Sequence, residues 1–373
     1  MVKKVLYVAT VASHICQFHL PYLEMLQNKG IAVHVAARDN LAEKNGLKLK
    51  FVDEYYNIPF ERFPINKRNI TAYNELKKII SENRYDMIVC NTPIGGILTR
   101  LAARKTRKNG TKVVYIAHGF HFYKGASRKN WAVYYPIEKF FARLCDTVVT
   151  INEEDYKLAK SKFKTEVRRI HGIGVSNERY CAKSEAEAEK LRKAVDLGSE
   201  DFAILCTGEL NNNKNQTQLI KAAALLADKM PNLKILLAGN GPKEKELLEL
   251  ISNLKLGNSI KLLGYRTDLE NIVPVVDMVV SCSRREGLPL NIIEAMLCRK
   301  PIVATFNRGH NELRKDGENG YLVSHDNAEA MADRIYDLYS HKEKMINFGM
   351  EGYNLAQSYT VNSVKEEIKD ILI

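Results

Sequence analysis

The stretch Met278-Val-Val-Ser-Cys-Ser-Arg-Arg-Glu286-Gly-Leu-Pro-Leu-Asn-Ile-Ile-Glu294-Ala-Met-Leu-Cys-Arg-Lys-Pro-Ile302-Val-Ala304 carries a strand, a loop, a helix and a second strand in succession. Residues 278–282 form a short apolar run of strand length. The spacing predicts a helix over 291–297 and a strand again over 302–304. Short, uniformly apolar strands suit a sheet covered on both faces, and a strand–helix–strand return suits a parallel crossover.

The same alternation runs outward from this unit in two series. In the first, 5–10, 31–37, 87–90, 113–117 and 147–151 read as strands, with helices predicted over 18–29, 71–83, 94–107 and 134–144. The second series begins near residue 202, with strands at 203–207, 234–238 and 259–263 before the opening stretch. Helices over 216–229 and 243–254 separate them, and three more, over 328–339, 342–357 and 364–373, close the chain. The fold class is α/β, with two doubly wound, Rossmann-like domains. They are expected at residues 1–174 and 175–355, with 356–373 a C-terminal helix able to return to the first domain. The Gly-punctuated run Ile170-His-Gly-Ile-Gly174 is a candidate hinge. A length of 373 residues agrees with two domains.

Hydrophobic residues at 45% and charged residues at 27% are the mix of a soluble globular protein and exclude a collagen, a coiled coil or a disordered tail. No apolar run approaches the roughly 18 residues of a membrane span. The N-terminal apolar run leads into a polar stretch without a small-residue cleavage site, so it reads as a first core strand and not a signal peptide. Seven scattered cysteines without a C-x-x-C argue against structural zinc and a disulfide framework, and point to a reducing cytoplasm.

Charge is unevenly divided. Residues 1–174 hold 30 Lys and Arg against 15 Asp and Glu, and the remainder holds 26 against 29. The basic side chains cluster at Arg100, Arg104, Lys105, Arg107 and Lys108, at Lys124, Arg128 and Lys129, and from Lys157 to Arg169. Nucleic acid and an anionic membrane are the usual partners of such a surface, and a solvated helix face is the plainer reading of any one cluster.

Ligands of open α/β sheets bind beyond the carboxyl ends of strands, often at helix N-termini. After residue 207 comes Gly208-Glu-Leu-Asn-Asn-Asn-Lys214, where glycine admits close backbone approach and Lys214 offers a cation. Gly239-Asn240-Gly241-Pro242 is a second tight turn into a helix. Neither matches a P-loop or a dinucleotide fingerprint. In the opening stretch Glu286 lies on the loop and Glu294 on the helix, eight residues on, with the N–H groups of Gly287 and Leu288 between them. Two carboxylates flanking an anion site suit a ligand with hydroxyls on both sides of a phosphate, such as a nucleotide sugar. Two surface carboxylates around a helix start have the same spacing.

The run from Glu286 to Ala295 resembles the E-x7-E motif of the retaining glycosyltransferases of family 4, a large GT-B family. Gly208 to Lys214 resembles that family's G-R-L-x-x-x-K turn, and Gly239 to Pro242 its G-x-G-P turn. Gly264-Tyr265-Arg266 is similar to its base-contacting turn, and Asp316-Gly-Glu-Asn-Gly-Tyr-Leu-Val323 to its late D-G-x-N-G segment. Ala117-His118-Gly-Phe-His-Phe-Tyr-Lys-Gly125 resembles a loop of capsule and exopolysaccharide glycosyltransferases.

The resemblance implies a GT-B enzyme whose two domains face each other across a cleft. It implies transfer of a hexose or N-acetylhexosamine from a nucleotide-diphosphate sugar, UDP favoured. It places Glu294 on the ribose, Glu286 on the transferred sugar, Gly287 and Leu288 on sugar and diphosphate, Lys214 on the leaving diphosphate and Arg266 by the base. Gly208, Glu209, Asn240, Pro289 and Leu290 complete the donor set. His118 is expected to meet sugar and acceptor from the first domain, with Ser13, His14, Asn91, Thr92 and Phe120 on the acceptor side; His118, Lys214 and Glu286 are the catalytic candidates.

Two positions depart from the family pattern. Glu209 stands where the family has Arg, so the diphosphate loses a cation that Arg284 or Arg285 could replace. Val11-Ala-Ser-His14 stands where many members have Gly-Gly. No D-x-D occurs, so no metal or other cofactor is expected, and the diphosphate charge falls to Lys214 and helix N–H groups. The resemblance implies retention at the anomeric carbon, expected to proceed by front-face substitution in which the leaving phosphate helps to deprotonate the acceptor hydroxyl. The expected acceptor is a lipid-linked saccharide of bacterial capsule or exopolysaccharide synthesis, met at the cytoplasmic membrane face by the basic first domain. A GT-B-like sugar-nucleotide epimerase is the alternative, and a nucleic-acid binder a further one, though no zinc ligands or aromatic RNA motif accompany the charge. His19, His34, His171, His310 and His325 otherwise read as structural or surface groups. The sequence leaves the oligomeric state open.

Overall fold

Val5, Leu6, Tyr7, Val8 and Ala9 are all fully buried, on alternating faces of one strand, so the first strand lies inside a sheet covered on both sides. The computed structural model describes residues 2–43, 46–315 and 317–373. The chain divides into two compact units, Met1–Gly174 with Val361–Ile373, and Val175–Thr360.

The first unit is a parallel sheet of β1 (Lys4–Val11), β2 (Ala32–Arg38), β3 (Glu54–Asn57), β4 (Met87–Asn91), β5 (Lys112–Ala117), β6 (Thr147–Thr150) and β7 (Glu166–Arg169), in the order β3-β2-β1-β4-β5-β6-β7. The second holds β8 (Phe202–Thr207), β9 (Leu233–Ala238), β10 (Ile260–Gly264), β11 (Met278–Ser281), β12 (Ile302–Thr305) and β13 (Gly320–Val323), in the order β10-β9-β8-β11-β12-β13. Every pairing is parallel, with Val8 beside Cys90 in the first sheet and Val279 beside Leu205 in the second. In each sheet the direction of strand addition reverses once, between β1 and β4 and between β8 and β11. Such a switch point opens a crevice at the strand carboxyl ends. Thr10 and Thr92 flank the first; the loops at Gly208 and Ser283 flank the second.

The structure adds to and divides the predicted elements. Edge strands β3 and β7 carry Glu-Tyr-Tyr-Asn and Glu-Val-Arg-Arg, polar because an edge is half exposed. The helix predicted over 18–29 is Leu20–Asn28, and a further helix, Ala12–Phe18, precedes it, the two parted at His19, whose φ of −124° leaves the helical region. Helices Glu153–Lys162 and Glu185–Ala194 were legible only in their caps: Asn152 and Ser184 accept the N–H of Asp155 and Glu187. Arg100 leaves the basic surface to which the sequence assigned it. It is fully buried, bonded to Glu138 at 3.1 Å and lying over the Tyr115 ring.

The second unit runs to Thr360, beyond residue 355. Helix Lys342–Ala356 continues through a turn at Gln357–Tyr359, where the Tyr359 carbonyl accepts the Val175 N–H at 2.9 Å. Helix Val361–Leu372 packs within the first unit, its Glu367 accepting the His171 backbone N–H at 2.8 Å.

Candidate functional site

In the second unit two turns at neighbouring strand ends lock together through glycine. Gly239 has φ +149°, and a Cβ there would lie 2.0 Å from the Gly208 carbonyl oxygen. Gly208 has φ +139°, with the Lys214 side chain against its Cα. No side chain fits either place. Leu210 N–H donates to the Asn240 carbonyl at 2.9 Å, and Lys243 N–H to the Leu210 carbonyl at 3.0 Å.

Lys214 comes off this turn and meets Glu286 from the loop after β11, Nζ to Oε1 2.7 Å, both largely shielded from solvent. The two loops are tied twice more: Arg284 N–H donates to the Asn213 carbonyl at 2.7 Å, and the Asn213 amide to the Arg285 carbonyl at 3.1 Å. A third loop supports them. Asn307 donates to the Ser283 carbonyl at 2.8 Å, and Gly309 packs so closely on Glu286 and Pro289 that a Cβ would come within 2.9 Å of each. His310 is buried there, its Nδ1 2.6 Å from the Thr305 carbonyl, and burial pushes its pKa down to about 4. Asn307 and Tyr180 carry no motif, and the sequence reading assigned no role to them, to Asn213 within the first turn or to Gly309.

Glu294 lies on helix Leu290–Leu297, which starts beyond Gly287, Leu288 and Pro289. Burial raises its pKa to about 7, against the opposing pull of a hydrogen bond from Tyr180 and the charge of Arg179. Arg266 turns to Asp268 in a bidentate pair at 2.8 and 2.6 Å. Of the two arginines proposed to replace the missing cation, Arg284 is held by Asp326 at 2.5 and 2.8 Å, whereas exposed Arg285 makes no ion pair among the described residues. Glu209 is exposed. Asp316 lies outside the described residues.

In the first unit the switch point gathers Ser13, His14, Asn91, Thr92 and His118. Thr92 has φ +64°, and its hydroxyl bonds that of Thr10 at 2.7 Å. Ser13 N–H donates to Asn40 Oδ1 at 3.0 Å. His118 Nε2 lies 3.3 Å from both Asn91 Oδ1 and His14 Nε2. A cavity of about 400 Å³ opens here, lined by Thr10, Ser13, His14, Gln17, Arg62 and Thr92 among others. Phe120 belongs elsewhere: its ring stacks on Phe122 in the core, 4.8 Å between centroids, and its N–H donates to Asp155. His19, read as an isolated structural residue, stands instead 5.3 Å from both His14 and His118, ring to ring.

Two Rossmann-like units with polar turns massed at the strand carboxyl ends define the GT-B class of fold. Residues 4–152 match the family described as glycosyl transferase 4-like, and residues 187–355 match glycosyl transferases group 1. The chain is 43% identical over 373 residues, all of it and 96% of the relative, to glycosyltransferase EpsD of Bacillus subtilis (strain 168). It is 24% identical, over 95% of this chain and 93% of the relative, to the UDP-Gal:alpha-D-GlcNAc-diphosphoundecaprenol alpha-1,3-galactosyltransferase of Escherichia coli. Among solved structures, Anabaena Alr3699/HepE in complex with UDP superposes with a TM-score of 0.79 at 22% identity, over 99% of both chains. The chain belongs to the glycosyltransferases. These likenesses lend no support to the epimerase or nucleic-acid readings.

Proposed function

We propose that the protein transfers a hexose or N-acetylhexosamine from a UDP-sugar to a lipid-linked saccharide in bacterial surface polysaccharide synthesis, with retention and without a metal. The observation that carries the reading is the Lys214–Glu286 pair, held at a strand switch point by three interlocked loops with Glu294 on the following helix. A donor diphosphate takes Lys214 from Glu286 and leaves that carboxylate to accept from sugar hydroxyls. The acceptor oxygen bonds to the anomeric carbon on the face from which the diphosphate departs. The breaking C–O pair goes to the phosphate oxygen, which takes the acceptor proton, and Lys214 Nζ with the N–H groups of Gly287 and Leu288 offset the charge. Arg285, without an ion pair among the described residues, is the cation that stands in for the family arginine, and His118 hydrogen-bonds on the sugar and acceptor side.

UDP is favoured by the UDP-bound Anabaena relative and by the donor named for the Escherichia coli galactosyltransferase, whose name also supports a lipid diphosphate acceptor. Among the described residues no helix is long and apolar enough to cross a membrane. Attachment at the cytoplasmic leaflet is supported instead by the basic surplus of residues 1–174 and by helix Arg128–Phe141, which exposes Val133, Tyr134, Ile137 and Phe140 beside Arg128, Lys129 and Arg143. The test is a panel of UDP- and GDP-hexoses in EDTA, with the anomeric signals of donor, slow hydrolysis product and transfer product followed by NMR. Turnover of a UDP-hexose with an unchanged anomer supports the reading. Inversion, or activity that returns only with Mn²⁺ or Mg²⁺, contradicts it.

A further inference from the structure

Among the described residues one group of side chains is placed to share a metal ion: His14, His19 and His118, whose candidate ligand nitrogens all lie within 4.8 Å of one another. His14 comes from helix Ala12–Phe18, His19 from the residue that ends it, and His118 from the loop after β5. A divalent ion held tetrahedrally at 2.0–2.1 Å from imidazole nitrogens keeps those nitrogens about 3.3 Å apart. The His14 Nε2 to His118 Nε2 distance is already 3.3 Å. The third nitrogen lies within 4.8 Å of the other two, and a shift of up to about 1.5 Å, within the reach of a side-chain rotation of His19, closes it to that spacing.

His19 supplies an independent sign. It is fully buried, and neither ring nitrogen has a hydrogen-bond partner among the described residues. A buried imidazole with both nitrogens unpaired is costly unless something occupies the lone pair. Neutral imidazole is the form that binds a metal ion. Three neutral imidazoles with a fourth position open suit Zn²⁺ and its tetrahedral relatives better than the oxygen-seeking Mg²⁺ or Ca²⁺. His14 also lines the 400 Å³ cavity, which gives an entry path, and Arg62 on the same wall favours an anion or hydroxide as the fourth ligand.

We propose that His14, His19 and His118 form a tri-imidazole site for Zn²⁺ whose occupation inhibits the enzyme. His118 Nε2 has one lone pair. On the metal, that lone pair is withdrawn from the hydrogen bonding that the proposed transfer reaction requires of His118. The inhibition rests on that functional reading; the binding does not.

Binding is therefore read first, without donor or acceptor. The EDTA-stripped full-length protein is titrated with Co²⁺, then Zn²⁺ is used to displace it. The expected result is one equivalent of Co²⁺ with the intense visible absorption of a tetrahedral centre, lost on adding one equivalent of Zn²⁺. His14→Asn weakens binding about tenfold or more, the scale on which even outer partners of a metal ligand act. Transfer or donor hydrolysis is then measured against Zn²⁺, where His19→Asn should relieve inhibition at least about tenfold by the same reasoning. If His19→Asn does not fold, the Co²⁺ spectrum of His14→Asn, a position that borders the cavity, decides binding alone. Absence of a stoichiometric tetrahedral spectrum, or one undiminished in His14→Asn, overturns the site. A normal spectrum with undiminished turnover in Zn²⁺ overturns the inhibition.

Discussion

Lys214 and Glu294 are proposed for different work, and their surroundings differ accordingly. Lys214 is a partly shielded cation already paired with a carboxylate, so it can exchange that carboxylate for a phosphate at small cost. Lys214→Ala should lower kcat by about 10²- to 10³-fold, the usual cost of losing one donor to developing charge; an unchanged kcat in donor turnover would remove Lys214 from the diphosphate. Glu294 sits where burial favours the protonated acid, with a pKa of about 7 against the ordinary 4.5. To accept from ribose hydroxyls it must ionise, so UDP affinity should rise between pH 6 and pH 8. Tyr180→Phe removes a hydrogen bond that lowers this pKa and should move the rise to higher pH, while Glu294→Gln should flatten it. Titration calorimetry across that range reads all three. The linked effect on stability has the opposite direction. The native state holds this proton more tightly than the unfolded chain, so the contribution of Glu294 to stability falls as pH rises from about 4.5 to about 7 and is constant above.

At the scale of elements, the proposed donor site depends on backbone packed against backbone. Gly239→Ala would put a methyl 2.0 Å from the Gly208 carbonyl at a φ only glycine adopts readily, and should cost about 3 kcal/mol or more in a denaturant melt and abolish UDP binding. Glu138→Ala should cost about 3 to 5 kcal/mol by stranding the buried Arg100 guanidinium, with no direct effect on the nucleotide. What the sequence made legible follows from the same physics. Strands buried on both faces, such as β1, β4, β8 and β11, are unbroken apolar runs and stood out. Edge strands β3 and β7 did not, because half their side chains face water. The Lys214, Glu286 and Glu294 positions stood out through their resemblance to family motifs, since spacing alone left two surface carboxylates as an equal reading. Asn213, Asn307 and Tyr180 were not, since they act by bonds between loops distant in the chain. Arg100 looked like one more basic helix residue because nothing local announces a partner 38 positions away.

At the scale of the whole molecule, the first unit carries the basic surplus and the second the glycine turns proposed to face the diphosphate. If residues 1–174 dock on an anionic leaflet, a few well-placed Lys or Arg, each worth about 1 kcal/mol there, hold the protein reversibly. Co-sedimentation with vesicles should then rise with anionic lipid and fall with salt; binding indifferent to both, or none, contradicts electrostatic docking. His118→Ala should remove transfer and leave nucleotide affinity nearly intact, because His118 belongs to the first unit and the nucleotide contacts are assigned to the second. The assignment of the donor nucleotide to Lys214, Glu286 and Glu294 is the central claim, and calorimetric titration of UDP and GDP into the wild type and Glu294→Ala tests it most directly. The account predicts one UDP per chain, GDP weaker, and a loss of about tenfold or more, near 1.4 kcal/mol, in Glu294→Ala; no UDP binding by the wild type, or equal affinity in the variant, would contradict it.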